Sequence, residues 1–130
     1  MTRDEIVQYW IESAEEDFQA MINLFETGHN VWVLFVGHLA IEKLLKAYYV
    51  KTVDKDIPWI HNLLKIAESA HLELSYEQRV LLDEITTFNT RARYPDYKKS
   101  FYKKASKEFT ADYVGKIKGL REWLIEKLKS

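Results

Sequence analysis

The chain has no cysteine, two prolines and four glycines in 130 residues, and no excess of either charge sign. Without cysteine there are no disulfides and no thiol chemistry, and a reducing cytoplasm suits the chain. So few prolines and glycines leave little material for the many tight turns of a β-rich fold. A formal charge of −1 gives no general attraction to nucleic acid or to a membrane surface. The first residues, Met1 to Glu5, are polar and acidic, unlike a secretion signal. The longest apolar run, Val31–Val50, has the length of a membrane span. It contains Glu42, Lys43 and Lys46, however, which are costly in lipid, so no span is expected. What is present is a 47% hydrophobic, 30% charged composition, that of one globular domain over residues 1–130.

Apolar spacing predicts helices throughout, and no strand-like alternation survives a count. The first helix starts near Thr2 or Arg3, with Asp4 and Glu5 at the positive end of its dipole. Ile6, Trp10, Ala14, Phe18, Met21 and Phe25 form its apolar face, with Glu12, Glu15, Glu16 and Gln19 opposite, and Gly28 stops it. A second helix runs from about Asn30 to Thr52, followed by a loop around Asp54–Trp59 that carries Pro58. A shorter third covers roughly Trp59 to His71. Ser75-Tyr-Glu-Gln78 is a capping box that opens a fourth helix with Val80, Leu81, Leu82, Ile85 and Phe88 apolar. Residues 89–107 read as a long irregular stretch, because Pro95 breaks helix and biases Tyr94 to an extended form. Thr110 caps the last helix, which turns Tyr113, Ile117, Leu120, Leu124 and Leu128 inward. The expected fold is all-α, an antiparallel up-and-down four-helix bundle with an extra short helix.

Two places stand out. On the greasy second helix, His38, Glu42 and Lys46 recur every four residues and fall on one stripe, beside Lys43. Glu42 and Lys46 have the favourable order for a same-face ion pair, worth about 0.2–0.5 kcal/mol. The simplest expectation is a solvated edge, and the alternative is a subunit interface or ligand-facing seam. No second histidine follows at the spacing of a zinc-protease motif, and no metal or cofactor is expected. The other place is Arg91–Lys107, where Arg91, Arg93, Lys98, Lys99, Lys103, Lys104 and Lys107 face the single acid Asp96. Tyr94, Tyr97, Phe101 and Tyr102 are interleaved with them. Cations meet phosphates and aromatic faces stack on bases, so this segment is a candidate nucleotide or RNA surface; a solvated connector anchored by its aromatics is the plain alternative. Arg91 and Arg93 are its candidate phosphate donors, with Tyr94, Asp96, Tyr97 and Lys98 around them. An ion pair with Asp96 or with Asp17 of the first helix is the competing use of these arginines. His61, near a helix start, reads as a hydrogen-bonded residue fixing a loop or as a site residue. His29 and His71 read as exposed. Trp10, Trp32, Trp59 and Trp123 read as core or dimer seam.

These landmarks together resemble the HEPN domains of bacteria and archaea. The resemblance rests on Trp10, Ala14, Asp17 and Ala20, on Phe35 with His38-Leu-Ala-Ile-Glu-Lys-Leu-Leu-Lys46, on Pro58 with His61-Asn-Leu-Leu, and on the Arg93-Tyr94-Pro95 box. It implies a helical bundle that dimerises and accompanies a minimal nucleotidyltransferase; a dimer would also cover the apolar belt of the second helix. Some relatives are metal-independent ribonuclease toxins in which an arginine is followed a few residues later by a histidine. Arginine there stabilises phosphate charge while histidine moves the proton. In this chain no histidine follows Arg91 or Arg93. A phenol such as Tyr94 or Tyr97, with an ordinary pKa of about 10, is a poor base at neutral pH. The expectation is therefore a dimeric binding and interaction module for nucleotide or RNA. A ribonuclease with a non-standard site and a purely structural subunit are the alternatives.

Overall fold

The computed structural model describes residues 1–130. The chain forms six helices, α1 (Arg3–Glu26), α2 (Asn30–Thr52), α3 (Leu63–Ser69), α4 (Tyr76–Arg93), α5 (Pro95–Lys104) and α6 (Lys107–Lys129), with no strand. Local chemistry sets most of the boundaries. Thr2 and Ser75 each close a capping box, with Glu5 and Gln78 as reciprocal partners. Gly28, at φ +81°, makes the turn that lets α2 fold back antiparallel on α1.

Helix α2 is the hub and packs against α1, α3, α4, α5 and α6. Its apolar belt is covered within one chain: Val33, Leu34, Ile41, Leu45 and Val50 are all sealed from solvent. A dimer is thus not needed to hide it. At its far end Lys51 Nζ donates to the Leu128 carbonyl at 2.6 Å, so α2 and α6 run in the same direction and finish together. At its near end Asn30 Nδ2 donates to the Ala105 carbonyl at 3.0 Å. Gly37 lets α1 and α6 close over α2, since a Cβ there would meet Ile117 Cδ1 at 2.6 Å and Met21 Sδ at 3.1 Å. The outer side of α1 carries Glu12, Glu15, Glu16 and Gln19 as one acidic patch.

Several expectations are corrected. Residues 89–107 are mostly helical: α4 continues to Arg93 and α5 begins at Pro95. Proline at the first position of a helix removes only a donor that has no partner there. The residue before it is extended (Tyr94, φ −87°, ψ 131°), as sterics demand, so Tyr94 ends α4 and opens α5 at once. The cap of α6 is Ser106, whose hydroxyl accepts from Phe109 N at 3.1 Å. Thr110 is fully buried one turn inside. Helix α3 is shorter than expected because Asn62 caps it, accepting from Lys65 N at 3.0 Å. Trp59 lies outside the core and is 92% exposed.

Candidate functional site

The polar stripe of α2 is not a solvated edge. His38 is 0%, Glu42 5% and Lys46 6% exposed, because the connection from α2 to α3 lies across it. Burial of charge requires pairing, and the pairing is explicit. Lys46 Nζ is 2.8 Å from Glu42 Oε2 and sits 5.7 Å from the centre of the Trp10 ring on α1. Glu42 Oε1 accepts from His61 Nδ1 at 2.9 Å. Burial alone would push the Glu42 carboxyl up, but the hydrogen bonds from Lys46 and His61, with the charge of Lys46, outweigh it and hold the group below its usual range. Burial does prevail at His38 and lowers its pKa. The neutral ring then carries its proton on Nε2, which donates to the His61 carbonyl at 3.1 Å and leaves Nδ1 buried without a partner. Its 3.7 Å approach to Glu42 is accordingly not an ion pair.

Lys43 points to α1 instead, with Nζ 2.8 Å from both Asp17 Oδ2 and Ser13 Oγ. Asp17 is therefore not the partner of an arginine. Neither arginine pairs with Asp96 or with any other carboxylate; Asp96 stands in the first turn of α5. Arg91 lays its guanidinium 4.4 Å from the centre of the buried Phe101 ring. Arg93 donates from Nε to the Asn89 carbonyl at 3.0 Å and from a terminal nitrogen to Asn89 Oδ1. It lies between the rings of Phe35, at 5.6 Å, and Tyr94, at 5.4 Å. Two of its five N–H groups are used, and the other three are uncommitted. Its charge is among those that keep His38 neutral.

Helix α5 is held through Phe101, its one buried residue, and turns Tyr97, Lys98, Lys99, Tyr102, Lys103 and Lys104 outward. Lys98 Nζ lies 5.1 Å from the centre of the Trp32 ring on α2. A cavity of about 340 Å³ opens between these two helices, walled by Trp32, Lys98, Tyr102 and His29. The sequence-expected residues thus fall in two zones. His38, Glu42, Lys46 and His61 share a buried polar column, and Arg91, Arg93, Tyr94, Tyr97 and Lys98 share the α4–α5 face, with Arg93 bordering both. Lys43 and Asp17 belong to the α1–α2 seam.

Sequence reasoning missed three contributors. Asn89 positions Arg93, and its spacing of four residues was the available signal. Thr86, whose hydroxyl accepts from Leu63 N at 3.0 Å, ties the start of α3 to α4. Trp32 walls the cavity although it sits in the greasiest helix. No three His, Cys, Asp or Glu side chains converge as a metal site would require, and no helix is long and apolar enough to cross a membrane.

An all-α bundle with a buried Glu–Lys pair on its central helix and an Arg-Tyr-Pro junction between two later ones defines the class. A family model, the HEPN domain, matches residues 7–128, nearly the whole chain, and the protein belongs to the HEPN domain family. No curated protein and no solved structure matches it.

Proposed function

We propose that the protein is a cytoplasmic helical binding module that takes nucleotide or RNA on its α4–α5 face, works as a homodimer and partners a minimal nucleotidyltransferase. The observation that carries the binding part is the arrangement of α5. One aromatic side chain anchors it, and four lysines and two tyrosines are left outward beside an aromatic-walled cavity. Lysine heads at the surface neutralise phosphates, and aromatic faces stack on bases at about 1–3 kcal/mol each. The arginines have no carboxylate to satisfy them, so an anion is the chemistry they lack. The homodimer and the nucleotidyltransferase partner rest on family membership alone.

Titration of labelled single-stranded RNA and of a labelled nucleotide, followed by fluorescence anisotropy over a range of salt, tests this. Affinity should fall with salt. The Arg91→Ala/Arg93→Ala double variant should bind more weakly, with a shallower salt slope and unchanged helical content. Absence of binding at low salt would leave a purely structural subunit. Collapse of the double variant would mean that the arginines serve the core.

The ribonuclease reading keeps one specific observation in its favour. The α2–α3 connection brings a histidine, His61, to the polar column that Arg93 borders, although none follows the arginines in sequence.

A further inference from the structure

Helix α1 and the segment that holds α5 carry mirrored charge. Within α1 seven carboxylates stand against one cation, Arg3. Between Arg91 and Lys107 seven cations stand against one carboxylate, Asp96. No ion pair joins the two regions within the chain. Helix α1 pairs Asp17 with Lys43 of α2 and Glu15 with Arg121 of α6. Lys98 and Lys104 lie over the rings of Trp32 and Phe109.

What remains on each side is a matched pair. Glu12 and Glu16 on α1, and Lys99 and Lys103 on α5, are exposed and take part in no ion pair. Each pair is spaced by four residues, so its members share one stripe about 6 Å apart along the helix axis. Two such helices laid side by side, about 8–10 Å apart, bring both pairs into register at once. Tyr9 continues the α1 stripe one turn earlier, and Tyr102 lies beside the lysines of α5; both are exposed, so the contact has apolar surface as well as charge.

We propose that α5 is a docking surface for α1 of a second copy of the chain, in a head-to-tail contact that sets Glu12 and Glu16 of one copy against Lys99 and Lys103 of the next. The two faces differ, so each bound copy keeps one face free for a third unless the copies close on each other. Exposed ion pairs are individually weak and screened by salt, so the contact is reversible and tightens as ionic strength falls. The carboxylates take the place that phosphates would occupy, so a second copy and RNA exclude each other on α5. That competition, though not the contact itself, rests on the proposed binding of RNA.

Sedimentation velocity of the full chain over a range of concentration, at low salt and at about 1 M salt, where the Debye length is about 3 Å, tests the contact. Wild type should associate at low salt and lose that association at high salt. Glu12→Lys/Glu16→Lys and Lys99→Glu/Lys103→Glu should each self-associate about tenfold more weakly or worse, because like charges then face each other. All four positions are exposed, so the circular dichroism of both variants should be unchanged. Mixed in equal amounts, the two variants should regain association. Lys65→Glu/Lys118→Glu alters net charge as the α5 variant does, at exposed positions on α3 and α6, and should associate like wild type. Wild type without salt-sensitive association, a mixture no more associated than its parts, or a Lys65/Lys118 control as weak as the α5 variant overturns the contact. Labelled single-stranded RNA added to wild type should dissociate the assembly. RNA bound without displacing the second copy overturns the competition. RNA left unbound while the association persists overturns the proposed binding of RNA and leaves the contact standing.

Discussion

Replacing Lys46 by methionine isolates the energetics of the buried column. Methionine keeps the stem of the side chain and removes the charge, leaving Glu42 Oε2 bare where both side chains are 7% exposed. Breaking a buried pair from one side costs about 3–5 kcal/mol. The surviving bond from His61 to Oε1 places this case at the low end, about 3 kcal/mol. An unfolding entropy of about 2.1 cal/mol/K per residue gives roughly 0.27 kcal/mol/K for 130 residues. Lys46→Met should therefore lower Tm by roughly 11 °C in thermal melts followed by circular dichroism near neutral pH. The loss should shrink as pH falls, because without the lysine the carboxyl protonates more readily. Adding Glu42→Gln removes the orphaned charge but keeps an acceptor for His61, and the double variant should recover most of the loss. A single variant that melts within about 4 °C of the parent, a deficit near 1 kcal/mol, would refute the claim that the pair bears on stability.

Acid should destabilise the fold in two stages. His38 titrates below its ordinary 6.5 when folded, so the unfolded chain takes a proton that the folded one refuses, and stability falls as pH drops below about 6.5. Glu42 titrates below its ordinary 4.5 when folded, so its contribution is whole above that pH and is lost as pH falls through the folded value. Urea melts at stepped pH report both stages; His38→Gln should erase the first, and a flat profile between neutrality and pH 5 would contradict it. Gly115→Ala and Gly119→Ala, where an added Cβ meets nothing within 4 Å, should each stabilise α6 by about 0.8 kcal/mol in the same assay. Gly37→Ala should not gain, because its Cβ must displace Ile117 Cδ1 from 2.6 Å.

Much of the bundle was legible because its signals are local. The limits of α2 and the capping box at Ser75 follow from residues within one or two turns. Pro95 misled because proline has two meanings, breaker of a helix interior and favoured first residue of a new helix. The choice between them is made by Phe101, six residues on, docking beside Phe88. The α2 stripe was visible as a pattern but not as buried, since what covers it is a connection nineteen residues downstream. The Glu42–His61 contact has no periodic signature, as neither residue predicts the other. Asp17 was recognised as needing a cation, and the fold supplied Lys43 from the neighbouring helix rather than an arginine from a distant one.

The acidic patch and the lysine-rich face lie on different helices, α1 and α5. A formal charge of −1 therefore hides an uneven distribution of charge. With the monopole nearly nothing, it is the local field of each patch that a charged partner would meet first. Within about a Debye length, 8–10 Å at physiological salt, the α5 lysines attract a polyanion and the α1 carboxylates repel it, so a partner of the proposed kind would be oriented during the encounter.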